Sequence, residues 1–317
     1  LFERGGFLNR DSAAYMREYS EVLFRALGDR VKKWVTINEP MVFAMYGYIT
    51  GEMPPGKKND VKGMMRTTHH LLLSHAAMVK ACREHVQEGK IGIAEAQVYI
   101  QPLRKDNPKD RAAADRMDQL INRLYIDPVF RGSYPPFVLD KLGKHLPDGY
   151  EDDLKEINEP GDFVGINYYM TRSYKHALFA PVVHAREKPT PGLKRSAMWE
   201  IFPDGLYLLL KRLKDEYGNP DCYITENGYP LVEQNGPLLE DDERIDYLSR
   251  HLEAASRAIK EGVNLKGYYQ WSFMDNFEWA LGYSMRFGLI RTDFETLERT
   301  WKKSAHWYKR VIENNGF

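Results

Sequence analysis

The 317-residue chain has little cysteine, no net charge and no long apolar run. Two cysteines, Cys82 and Cys222, are too few for a disulfide scaffold. They predict buried thiols in a reducing compartment, the cytoplasm. Basic and acidic residues number 45 each and cancel. That balance removes the basic footprint of a nucleic-acid binder or of a protein held on an anionic membrane. No stretch approaches the roughly 18 apolar residues of a membrane span. Leu1–Gly6 lacks the charged and apolar regions of a signal peptide, and its non-Met start predicts a chain entered in its middle. No apolar strand runs into a Gly-rich phosphate turn, which argues against a doubly wound nucleotide-binding sheet. There is no internal repeat and no low-complexity segment.

Aromatic residues are plentiful, at 13%. They suit either a large aromatic core or flat platforms for apolar sugar faces. Apolar periodicity predicts helices over Asp11–Arg30, Thr67–His85, Asp110–Leu124, Asp204–Tyr217, Glu243–Glu261 and Thr300–Asn314. Short apolar runs predict strands at Val31–Ile37, Ile91–Ala96, Phe163–Tyr169, Cys222–Thr225 and Gly267–Ser272. Asp127–Tyr134 reads as turn-rich, and Ala177–Ser196, with its three prolines, as a loop over one end of the fold. Helices alternating with short strands predict a parallel α/β sheet. Polar groups follow the strands: Asn38-Glu39-Pro40, Asn167-Tyr168-Tyr169, Glu226-Asn227-Gly228 and the segment from Trp271. Reactive groups at the C-terminal ends of successive strands mark a (β/α)8 TIM barrel.

Two carboxylates end apolar strands, Glu39 in Thr36-Ile37-Asn38-Glu39-Pro40 and Glu226 in Ile224-Thr225-Glu226-Asn227-Gly228. Taken alone, each could cap a helix or join a surface ion pair. As a facing pair they supply what glycoside hydrolysis needs, an acid/base and a nucleophile or water activator. Two other patterns carry less. Asn158-Glu159-Pro160 repeats the catalytic triplet but precedes a strand, so it reads as a turn on the opposite rim. His69, His70 and His75 lack the i, i+4 spacing of a helical metal pair, and no metal site is expected.

The two Glu-bearing segments resemble the signature motifs of glycoside hydrolase family 1, the β-glucosidases and their relatives. Gly165-Ile166-Asn167-Tyr168-Tyr169 looks like the family's sixth strand. Trp271-Ser272, Asn276-Phe277-Glu278-Trp279, Gly282-Tyr283-Ser284 and Arg286-Phe287-Gly288 look like its eighth strand and loop. These motifs stand in family order and at family spacing over essentially the whole chain. The resemblance implies one catalytic domain, 1–317, that carries strands four to eight of the barrel with their helices.

The resemblance also implies roles. Glu39 would be the acid/base and Glu226 the nucleophile of a retaining mechanism, with the charge of Glu226 raising the Glu39 pKa. Asn38 would bond the sugar 2-hydroxyl, Tyr169 would orient Glu226, and Asn167 would line the same subsite. Glu278 and Trp279 would take the outer sugar hydroxyls and Trp271 would lie under the glycone. Trp199 and Phe287 would border the aglycone side. No Lys or Arg lies in Phe277–Tyr283, which suits an unphosphorylated β-glycoside or oligosaccharide. No cofactor is implied.

Counted against the family, the first three β/α units are absent, with a Gln, an Arg and a His-Trp pair that hold the sugar and the nucleophile. Five strands cannot close an eight-strand ring, and an open parallel sheet leaves two unpaired edges. The sequence therefore predicts either a barrel-completing segment or self-association. The alternative reading is an impaired fragment, or a non-catalytic carbohydrate-binding relative.

Overall fold

The structure is a computed structural model describing residues 1–233, 236 and 238–317. The strands are β1 (Lys33–Asn38), β2 (Lys90–Pro102), β3 (Phe163–His176), β4 (Ala185–Lys188), β5 (Cys222–Asn227), β6 (Leu265–Gln270), β7 (Ile290–Thr292) and β8 (Arg299–Trp301). The α-helices are α1 (Ser12–Leu27), α2 (Pro40–Met45), α3 (Val61–His85), α4 (Pro108–Asp118), α5 (Leu124–Arg131), α6 (Pro136–Leu142), α7 (Tyr150–Ile157), α8 (Pro203–Glu216), α9 (Asp242–Lys260) and α10 (Lys303–Asn314).

Strands β1, β2, β3, β5 and β6 form one parallel sheet in chain order. Consecutive strands are adjacent because a helix returns the chain between them. Side chains alternate across this sheet. Ile93, Val164, Ile166 and Ile224 belong to the main core with Leu72, Tyr125, Leu206 and Leu210 of the helices. The opposite face carries Gly165, Asn167, Tyr169 and Thr225, and a register shift between β3 and β5 beside Asn167 brings Glu226 to it as well. Gly165 is required there, since a Cβ would lie 2.7 Å from the Thr225 side chain.

Several elements differ from the sequence-based expectation. Helix α3 starts at Val61 rather than Thr67, because the Asp60 carboxylate accepts the Gly63 N–H at 2.8 Å and caps an earlier turn. Much of the segment expected to be turn-rich is helix α5, despite Pro128 inside it. Burial of Leu124, Tyr125, Ile126 and Val129 there outweighs the lost backbone donor. Within Ala177–Ser196, β4 pairs antiparallel with the end of β3. The loop expectation fails there because β3 runs past Tyr169 to His176 and offers a free edge. The last helix begins at Lys303, since Arg299–Trp301 pairs with β7 instead.

Among the described residues, strand β1 pairs only with β2, and β6 only with β5. Near these edges Val35 is 43% exposed, Tyr269 54% and Phe273 66%, values far above those of core residues. An apolar pocket of about 430 Å³ opens beside α10, lined in part by Phe273, Leu289, Trp301 and Ile312. Among the described residues no helix is long and apolar enough to cross a membrane.

Candidate active site

Strand β1 ends at Asn38 and α2 begins at Pro40, so Glu39 is the hinge between them. Its backbone is left-handed, with φ 53° and ψ 59°. A non-glycine residue held there stores on the order of 1–3 kcal/mol of strain, and such strain gathers at functional sites. Pro40 disfavours a helical conformation at Glu39. The Glu39 N–H donates to the Ala94 carbonyl at 2.8 Å, which fixes the turn against β2.

The side chains meet across three strands. Asn167 Nδ2 donates to Glu39 Oε1 at 2.9 Å and to Asn38 Oδ1 at 3.0 Å. Asn38 Nδ2 lies 3.4 Å from Glu226 Oε1, and the Tyr169 hydroxyl donates to Glu226 Oε2 at 2.6 Å. The two carboxylates are thus linked through Asn38 and Asn167 and separately oriented. Burial and then the Glu226 charge raise the Glu39 pKa to about 7, against the Asn167 bond that lowers it. The direction matches the sequence reading, but the order of causes does not: burial comes before the Glu226 charge. Glu226 is raised by burial and held down by its bonds from Tyr169, Asn38 and Asn167.

Aromatic residues border these groups. The Tyr169 ring centroid lies 5.1 Å from Trp199 and 6.3 Å from Phe287, and Trp199 lies 6.0 Å from Phe287. Glu200, buried beside Trp199, accepts the Thr190 N–H at 2.9 Å and so fastens the Trp199 loop. Burial raises the Glu278 pKa, with the Trp271 indole lowering it and Glu226 raising it. Trp279 is 69% exposed on the rim and joins none of these ring pairs. The structure brings together Asn38, Glu39, Asn167, Tyr169 and Glu226, with Trp199 and Phe287 at one side and Trp271 and Glu278 at another. Trp279 stands apart.

Sequence reasoning missed two supporting groups. Asn227 is fully buried; its Nδ2 donates to the Tyr168 carbonyl at 2.5 Å and to the Tyr247 hydroxyl at 2.9 Å. The Tyr268 hydroxyl donates to Asn227 Oδ1 at 2.5 Å. The Asn beside Glu226 in the motif was the available signal. Thr225 Oγ1 donates to Asn167 Oδ1 at 2.5 Å, which sets the amide so that its NH2 faces Glu39. The histidines are core residues. His69 bonds Tyr134 and Asp153, His70 the Phe7 carbonyl, and His75 Thr36 and the Glu159 carbonyl. Glu21, Glu84 and His85 could present metal-ligating atoms together, but Arg17 and Arg25 already pair with those carboxylates.

Glu95 on β2 was also missed. It is fully buried, and neither carboxyl oxygen has a hydrogen-bond partner. Burial, then Glu39, raises its pKa from 4.5 to about 8. A carboxyl raised on folding keeps a proton the unfolded chain loses, so stability falls as pH rises from 4.5 toward 8. At pH 7 the penalty is ~3 kcal/mol. Glu95→Gln is expected to remove it, giving a larger unfolding free energy than the parent at pH 7 and a near-equal one at pH 4.5. Urea titrations at both pH values check this; an equal pH slope in parent and variant contradicts it.

Comparison with known proteins places the chain in a family. The pattern of glycosyl hydrolase family 1 matches residues 1–317. The 1,4-beta-D-glucan glucohydrolase of Thermotoga neapolitana is 46% identical over 317 residues, covering 99% of this chain and 70% of that protein. Beta-glucosidase A of Thermotoga maritima is 45% identical over 318 residues, again 99% of this chain and 70% of the relative. The structure of the family 1 β-glucosidase from Thermotoga maritima superposes with a TM-score of 0.93 at 44% identity, over 99% of this chain and 71% of that one. The five-stranded parallel sheet is accordingly part of a TIM-barrel fold. With the family pattern spanning every residue and relatives this similar across nearly its whole length, the chain belongs to glycosyl hydrolase family 1.

Proposed function

We propose that the chain is the catalytic domain, residues 1–317, of a retaining β-glycosidase that hydrolyses β-glucosides or related β-glycosides. The observation that carries this is the carboxyl pair: Glu39 with a pKa near 7 and Glu226 oriented by Tyr169, joined by Asn38 and Asn167. Glu39, protonated, donates to the glycosidic oxygen as that bond breaks. Glu226, ionised, attacks the anomeric carbon and forms a covalent glycosyl-enzyme. The Glu226 charge is then gone, and Glu39 gives up its proton more readily. It deprotonates a water that cleaves the ester, and the product keeps its configuration. Asn38 bonds the sugar 2-hydroxyl. Glu278 takes the outer hydroxyls over Trp271, with the adjacent Trp279 on the rim, while Trp199 and Phe287 border the aglycone.

The five strands correspond to strands four to eight of the ring, and a segment carrying strands one to three, or a second copy, closes it. The unpaired edges of β1 and β6 support this. They also favour a second reading, in which the chain alone is impaired until those strands are supplied. The free, buried Cys82 and Cys222 suit work in the cytoplasm.

A colorimetric aryl β-glucoside assay tests the proposal, with retention of configuration followed by NMR. Inverted product refutes the roles of both carboxyls. Because the acid form of Glu39 is required, kcat/KM should fall as pH rises through about 7. Glu39→Gln should abolish that alkaline limb and lower kcat for a poor leaving group by about 10²–10⁴-fold. An unchanged limb in the variant would assign it to another group.

A further inference from the structure

Glu278 and Phe287 lie on one excursion of the chain, and its two ends rest on a buried cluster of opposite charges. Arg244 of α9 and Lys302, just before α10, are both fully inaccessible to water. Lys302 Nζ donates to Asp275 Oδ1 at 2.8 Å, and the Gly288 N–H donates to the same oxygen at 2.8 Å. Arg244 donates to the Gly288 carbonyl at 3.0 Å and to the Arg286 carbonyl at 2.5 Å. Arg244 also pairs with Asp241, whose Oδ1 accepts the Ser304 N–H at 2.8 Å. Asp275 and Gly288 bracket residues 276–287, and the approach at Gly288 leaves no room for a side chain, since a Cβ would lie 2.1 Å from the Asp275 nitrogen.

Arg244, Lys302, Asp241 and Asp275 balance as two cations and two carboxylates, and Arg286, itself paired with Glu233, approaches Asp275 at 3.7 Å. Buried charges are expensive unless paired, and replacing them by apolar groups is often neutral for stability, so stability alone is a weak reason for four of them. Their bonds hold the excursion by the Asp275 carboxylate at one foot and by backbone atoms of Arg286 and Gly288 at the other, and join it to α9 and α10. A hydrogen-bonded charge fixes direction as well as distance, which apolar packing does not.

We propose that Arg244, Asp241, Asp275 and Lys302 form a lock that positions the 276–287 excursion, and with it Glu278, for the outer hydroxyls of the sugar. The inference rests on the glycosidase reading for the role of Glu278, but the lock can be tested without turnover. Lys302→Met removes one cation. Lys302→Met with Asp275→Asn removes a charge of each sign and leaves no stray buried charge, so it keeps the test open if the single variant does not fold.

Hydrogen exchange on the whole chain should show protection across 276–287 reduced about tenfold or more in both variants, with β1–β3 unchanged. Unchanged protection of 276–287, or an equal loss throughout β1–β3, overturns the lock. Calorimetry then asks whether Glu278 loses its aim. The preference for deoxynojirimycin over its 6-deoxy counterpart should shrink about tenfold, the worth of one hydrogen bond to a charged group. A loosened excursion with the preference intact overturns the positioning role. Failure of the parent chain to bind either compound supports the reading in which it is impaired until the ring is completed, and the exchange result still decides the lock.

Discussion

Glu226→Ala is expected to lower turnover of an aryl β-glucoside by about 10⁴-fold or more, in line with the loss of a covalent nucleophile in other hydrolases. The expectation rests on position: Glu226 ends β5, and its two oxygens are engaged by Tyr169 at 2.6 Å and Asn38 at 3.4 Å. Those bonds aim it and keep charge on it. Alanine leaves a small space on the face opposite the departing group. Azide or formate placed there should attack the anomeric carbon directly, with one displacement in place of two. Partial rescue should therefore give a β-glycoside substrate an α-configured azide or formate product, detectable by NMR. Tyr169→Phe should cost far less, since it removes one orienting bond and leaves the nucleophile. Parent-like activity in Glu226→Ala removes the assignment. Rescue with retained configuration removes the mechanism.

Completing the ring is expected to have the next largest effect. Strand β1 carries Asn38 and leads into Glu39, and its outer edge has no partner. A strand with one free edge holds its end loosely, and a misplacement of about 1 Å in a catalytic group can cost about 10²-fold in rate. Val35, Tyr269 and Phe273 are exposed near the two open edges, and unpaired edges beside apolar surface favour association. The chain by itself should thus associate in solution and turn over substrate poorly. Co-expression with the segment of a close relative that precedes the matched region should yield a one-to-one complex, with kcat higher by about 10²-fold or more. Light scattering and an aryl β-glucoside assay read both effects. A monodisperse monomer with activity equal to the completed complex contradicts the expectation.

Much of the site was legible in the sequence because its parts lie at strand ends, and strand ends are local features. Apolar periodicity located the five parallel strands, and the polar residues after them identified Glu39, Asn167, Tyr169 and Glu226. Helix α5 was not legible, because Pro128 is a local breaker while the burial that overrides it comes from distant partners. Glu95 was not legible either. It lies within an apolar run on β2, and a carboxyl there can be recognised only once both faces of the strand are known to be covered.

The sequence by itself determined the alternation of helix and strand, the strand ends at which Glu39 and Glu226 lie, and these two carboxyls as a candidate pair. Tertiary structure alone decided their electrostatics. Glu39 and Glu226 are far apart in the chain, and their mutual field depends on a distance that no local pattern encodes. Desolvation leads the rise at Glu39, and desolvation is a property of packing. The cluster of Arg244, Asp241, Asp275 and Lys302 follows the same logic. Each is an ordinary charged residue in sequence, and each is buried only because α9, α10 and the excursion after β6 close over one another, so that a charge without its partner would have no water to turn to.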